Sequence, residues 1–142
     1  MCIRDSYIYQ YISDKYPQDE VKFDISQIKL VTLDIEVSSE QGFPDVESCS
    51  EEILAITIQD YTTKEITTWG VKPFNNKQDN VTYHCCNTEE NLLRTFINYW
   101  MQDVPDVITG WNIQLYDIPY ICLLYTSPSP RDLSTSRMPS SS

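Results

Sequence analysis

Two carboxylates set in an apolar run, Leu30-Val31-Thr32-Leu33-Asp34-Ile35-Glu36-Val37, are the first residues here whose types and spacing suit chemistry. A third, Asp117, stands far downstream in Thr109-Gly110-Trp111-Asn112-Ile113-Gln114-Leu115-Tyr116-Asp117-Ile118-Pro119-Tyr120. Strand alternation puts Val31, Leu33, Ile35 and Val37 on one face and leaves Asp34 and Glu36 together on the other. Neighbouring acids repel one another and lose hydration, so a cation is needed to keep both ionised. Hard carboxylate oxygens suit magnesium or manganese. The plainer reading is a half-buried strand whose acidic face meets water, and a lone Asp-x-Glu favours it, so the rest of the chain has to carry the metal reading. Asp117, taken alone, reads as a turn or cap residue ahead of Pro119, where Asp is common, and as a ligand only together with the first acidic motif.

The elements that must position these acids are legible in the periodicities. Residues 30–37 read as a strand, and so do Ile53-Leu54-Ala55-Ile56-Thr57-Ile58-Gln59-Asp60 and Glu65-Ile66-Thr67-Thr68-Trp69-Gly70-Val71. The link Tyr61-Thr62-Thr63-Lys64 suits a hairpin between the last two. A polar loop from Ser38 to Glu52 carries Gly42-Phe43-Pro44, long for a hairpin and close to the acidic pair. Val81 to His84 makes a fourth short strand. Thr88 or Asn87 caps a helix whose apolar stripe is Leu92, Leu93, Phe96, Ile97 and Trp100, with Glu89 and Glu90 at its positive end. Pro105 closes that helix, Asp106 to Trp111 reads as a strand, and Ile118-Pro119 marks another helix start. The order predicts a mixed α/β sheet flanked by helices. Trp69, Trp100 and Trp111 are expected in the core.

Composition narrows the function classes. In 142 residues, 41% hydrophobic and 12% aromatic, the chain has enough apolar content to fold around a core. A net charge of −11 has the wrong sign for binding nucleic acid through a broadly basic surface, so any phosphate chemistry must be local and metal-mediated or must rely on neighbouring domains for affinity. Five cysteines without a Cys-x-x-Cys pair, and one histidine beside Cys85-Cys86, make a poor zinc frame and suit reduced thiols. No signal peptide or membrane span is visible, which points to the cytoplasm.

Leu33-Asp34-Ile35-Glu36-Val37 with Gln41-Gly42-Phe43-Pro44, followed by Val107-Ile108-Thr109-Gly110-Trp111-Asn112 and Asp117-Ile118-Pro119-Tyr120, resembles the 3′–5′ proofreading exonuclease domain of family B DNA polymerases. The resemblance is to the type carried by T-even bacteriophages and covers roughly residues 7–122. It implies a ribonuclease-H-like fold and a hydrolase using two divalent ions, Mg2+ or Mn2+. Asp34 would bridge both ions, Glu36 would ligate one and help place the attacking water, and Asp117 would ligate the other. Two metals about 4 Å apart stabilise both ends of an in-line displacement and reverse the local charge of an acidic site. The implied partners are the single-stranded 3′ end of primer DNA and the remaining polymerase domains. Phe43 would stack on the terminal base, or else anchor its loop in the core. Asn112 would lie near the primer terminus, or else serve a turn.

The two ends read differently. Residues 1–6 and the Ser/Pro-rich stretch from Thr126 onward resemble translated sequencing-adapter read-through. The domain reading is therefore a non-native leader (1–6), the end of a polymerase N-terminal region (7–28), an incomplete exonuclease domain (29–122) and a disordered, non-native tail (123–142). The family's third motif, a tyrosine followed some residues later by an aspartate, is not found, and a domain truncated at its C-terminus is expected to be weak or inactive alone. Two other readings compete. One is a free-standing exonuclease of the same acidic superfamily acting on DNA or RNA, and the other is a non-catalytic acidic interaction module.

Overall fold

Alternation in residues 30–37 becomes strand β1 (Leu30–Val37), with Val31, Leu33 and Ile35 buried and Thr32, Asp34 and Glu36 exposed. The computed structural model of the protein describes residues 3–16, 22–40, 42 and 44–126. Strand β1 pairs antiparallel with β2 (Ile53–Asp60), which pairs antiparallel with β3 (Ile66–Gly70). Strand β4 (Val81–Cys85) lies parallel to β3, and β5 (Val107–Thr109) lies parallel to β1 on its other side. The sheet order is β4-β3-β2-β1-β5, a mixed α/β architecture that places β1 between an antiparallel and a parallel neighbour. The hairpin between β2 and β3 closes as expected, with Asp60 Oδ1 accepting the Thr62 and Thr63 backbone N–H groups at 2.7 Å each.

Among the described residues, three α-helices accompany the sheet: α1 (Ile3–Lys15), α2 (Glu89–Gln102) and α3 (Asp117–Thr126). Helix α2 starts where the cap predicts, with the Thr88 hydroxyl accepting Asn91 N–H at 3.2 Å. Its Glu89 also reaches back to accept the Ile53 N–H at 2.8 Å and so seats the start of β2. Leu92, Leu93 and Phe96 from α2 and Tyr120 and Ile121 from α3 pack on one face of the sheet, against Val31, Leu33, Ile35, Ile56, Ile58 and Trp69. Both helices thus bury their apolar side chains on the face away from Asp34 and Glu36. The opposite face carries the polar side chains, the usual division for an antiparallel sheet packed on one side only.

Several expectations change. Helix α1 was not foreseen, because its described side chains are exposed and leave no buried stripe to read. Helix α3 runs through Thr126, so residues 123–126 are helical where the sequence reading has a disordered tail, and Leu124 packs against the core. Residues 3–6 likewise belong to α1. Strand β5 is shorter than expected, ending at Thr109. Trp69 is fully buried and Trp100 packs at the core's margin, but Trp111 is 91% exposed. The reason is the left-handed backbone of Asn112 (φ 54°), which turns the chain so that Ile113 and Tyr116 face the core instead. Phe43 and the tail beyond Thr126 lie outside the described residues.

Candidate active site

The base of β1 is clamped first. The backbone carbonyl of Lys29 accepts the N–H groups of Asp106 and Val107 at 2.9 and 3.1 Å. Lys29 N–H donates to the Asp106 carboxylate at 2.8 Å, and its ammonium pairs with Asp103. These contacts start the β1–β5 ladder, which pairs Leu30 with Val107 and ends at Thr32–Thr109. Gly110 then crosses so close to the Leu33 backbone that a Cβ there would collide with the Leu33 carbonyl oxygen.

Beyond that crossing, no strand among the described residues lies beside β1 on the β5 side, and its next edge donor is the Ile35 N–H. Asp117 takes it: Oδ1 accepts that N–H at 3.1 Å, from 82 positions away in sequence. The acid is the first residue of α3 and is 3% exposed. Its helix is held by Tyr120, fully buried, whose hydroxyl donates to the Glu51 carbonyl at 2.6 Å. The loop between β1 and β2 is thereby tied to the helix that carries Asp117.

Desolvation raises the Asp117 pKa above the ordinary carboxylate value, and the neighbouring Asp34 charge pushes it the same way. The Ile35 N–H opposes both by favouring the charged form. Sequence reasoning assigned the loss of hydration to Asp34 and Glu36, yet both are exposed, and the buried member of the set is Asp117. Its place at the end of the core-facing α3 explains this, because the helix carries it under the sheet edge and not onto the open face.

Asp34, Glu36 and Asp117 are thus gathered around one stretch of β1, with Asp117 bonded to the backbone between the other two. They do not close into a single ligating cluster: among the described residues, no three His, Cys, Asp or Glu side chains are grouped tightly enough to hold a metal ion. One Asp117 oxygen is spent on the Ile35 N–H, while Asp34 and Glu36 extend into water. The donor chemistry nevertheless fits a hard divalent cation, being all carboxylate and including a member whose ionisation a nearby positive charge would favour. Asn112, on the loop leaving β5, has a left-handed backbone, and its carbonyl accepts Leu115 and Tyr116 N–H at 3.0 Å. His84 is stacked on Trp69 with ring centroids 5.5 Å apart, a packing role. No helix of the described residues is long and apolar enough to cross a membrane.

Sequence reasoning missed the close approach of Gly110 and the tie from Tyr120 to Glu51. Neither has a local signal, since each depends on a segment distant in sequence.

The model of the family described as DNA polymerase family B, exonuclease domain, matches residues 5–129. The chain is 29% identical over 142 residues to the DNA-directed DNA polymerase of Escherichia phage RB69, a match covering 82% of this chain and 16% of that polymerase. It is 30% identical over 136 residues to the DNA-directed DNA polymerase of Enterobacteria phage T4, covering 78% of this chain and 15% of that one. The chain therefore spans less than a fifth of the length of the curated relatives it matches. The family match takes in every strand of the sheet and both core-packed helices, Asp34, Glu36 and Asp117 among them. By that match the chain belongs to the exonuclease-domain family of the family B DNA polymerases.

Proposed function

We propose that this exonuclease domain removes nucleotides from the 3′ end of single-stranded DNA, releasing nucleoside monophosphates, as the proofreading part of a DNA-directed DNA polymerase. The observation that carries this reading is the Asp117 carboxylate drawn onto the β1 backbone between Asp34 and Glu36. Asp34, Glu36 and Asp117 would hold two divalent ions, Mg2+ or Mn2+, whose charge offsets what develops on the attacking and leaving oxygens. Such ions also reconcile a −11 chain with a polyanionic substrate, because they invert the sign of the site. The chain's own residues then orient. Asp117 locks α3 to β1 and holds the acidic set in register, while Asn112, on the loop next to Gly110, would contact the primer terminus. Phe43, which follows Glu36 by seven positions in sequence, would stack on the terminal base, and its replacement by Ala would cost about 1–3 kcal/mol of base engagement. The remaining polymerase domains would deliver the unpaired end in the cytoplasm of the host cell.

The test is release of a 3′-terminal labelled nucleotide from single-stranded DNA by the purified chain with magnesium. The expected result is slow release that stops on chelation and in the Asp34→Ala/Glu36→Ala variant. Release that is unchanged in that variant would remove the acidic pair from the mechanism and the reading with it.

A further inference from the structure

The strand register extends the acidic pair into rows that cross the open face of the sheet. Asp34 lies opposite Thr57, Thr57 opposite Thr68, and Thr68 opposite Tyr83. On one side runs the row Glu36, Ala55, Gly70, Cys85, and on the other the row Thr32, Gln59, Ile66, Val81. Apart from Asp34 and Glu36 themselves, no position in these three rows is charged, although the chain carries 21 acids. The Thr57 and Thr68 hydroxyls bond each other at 3.0 Å midway along the central row.

The far end of that row is aromatic. Tyr83 lies across Gly70, where any Cβ would strike its ring, and its hydroxyl donates to the Lys72 carbonyl. Phe74, 63% exposed, tilts against the Tyr83 ring with centroids 5.4 Å apart. The β3–β4 connection that carries Phe74, residues 71–80, holds two lysines, Lys72 and Lys77, against one acid, Asp79. An uncharged floor thus leads away from the acidic pair to an aromatic step on a connection of net positive charge. That is the arrangement a polyanionic single strand needs, and the opposite of what the chain's overall charge supplies.

We propose that this face carries the single strand upstream of its 3′ end, with the Phe74–Tyr83 pair stacking a base about four nucleotides from the acidic pair. Three inter-strand steps separate β1 from β4, roughly 14 Å, which matches about four stacked nucleotides at 3.4 Å each. The proposal rests on the exonuclease reading for the polarity of the strand, and it adds a recognition surface remote from the carboxylates. Gly70 is the residue that permits it, because only without a side chain there can Tyr83 lie flat on the sheet.

The experiment measures binding of fluorescently labelled oligothymidylates of two to six nucleotides to the full 142-residue chain, with calcium in place of magnesium. The expected result is an affinity that rises from the dimer to the tetramer or pentamer. Phe74→Ala should erase that rise, about tenfold, while leaving dimer binding unchanged. Phe74→Trp should restore it, and Cys85→Glu, which brings a negative charge onto the same face, should weaken the longer oligomers alone. A rise that persists in Phe74→Ala overturns the platform. A wild-type chain with no rise overturns it as well, in favour of a face covered by protein. The two readings fail separately: dimer binding indifferent to Asp34→Ala/Glu36→Ala, with the Phe74-dependent rise intact, would retire the acidic pair and keep this surface.

Discussion

The carboxylate of Asp117 accepts the backbone N–H of Ile35 at 3.1 Å, so a buried acid completes the edge of β1 where β5 stops. That contact is structural and electrostatic at once. It satisfies a donor that the sheet leaves without a strand partner, and it holds a negative charge beside Asp34.

The Asp117 charge should therefore cost stability at neutral pH. An acid whose pKa is higher folded than unfolded binds more protons in the folded state between the two values. Stability then falls as pH rises through that window, and the penalty disappears as pH drops below it. Asp117→Asn keeps an oxygen for the Ile35 N–H and removes the charge. Its thermal midpoint should exceed the wild type's at neutral pH, and the two should converge as pH falls towards the ordinary carboxylate value of 3.8. Asp117→Ala, which strands the donor, should instead lose about 1–3 kcal/mol. Melting curves across that pH range check both, and a wild type more stable than Asp117→Asn at neutral pH would contradict the assignment.

Magnesium should stabilise the fold through the same groups. A cation bound only by the folded chain raises stability by mass action. Thermal midpoints should climb with magnesium in the wild type and much less in Asp34→Ala/Glu36→Ala, against sodium chloride of matched ionic strength. An equal climb in both proteins would exclude these two acids as ligands.

Tyr120→Phe should loosen the seat of α3. The ring keeps its packing, but the Glu51 carbonyl loses the hydroxyl that reaches it at 2.6 Å in a fully buried setting. The expected loss is about 1–3 kcal/mol by urea unfolding, together with slower nucleotide release because Asp117 rides on the same helix. Unchanged stability would show that the hydroxyl is dispensable for holding α3.

Gly110→Ala should push β5 away from β1, since the new methyl meets backbone, which cannot swing aside. Overpacking of this kind costs about 1–3 kcal/mol. Amide exchange at Ile35 is the informative readout: it should accelerate as the loop that leads to Asp117 shifts. Exchange as slow as in the wild type would mean that the crossing tolerates a side chain.

What the sequence determined was local. The limits of β1 and β2 and the Thr88 cap of α2 follow from alternation and capping, which act within a few residues. The pairing of two acidic motifs in order was enough to indicate the family, which residues 5–129 bear out. The tertiary structure decided what those signals leave open. Asp117 reads as a cap when taken alone and as a ligand only beside the first motif, and only the early end of the β1–β5 ladder exposes the Ile35 donor that captures it. Trp111 has the composition of a core residue, but a left-handed turn at Asn112 sends it into solvent. Thr57, Thr68 and Tyr83 carry no signal singly, and they share a row with Asp34 because three strand registers add up across the sheet. Periodicity is set by neighbours along the chain, whereas the site is set by where strands stop and how they align, which no single segment encodes.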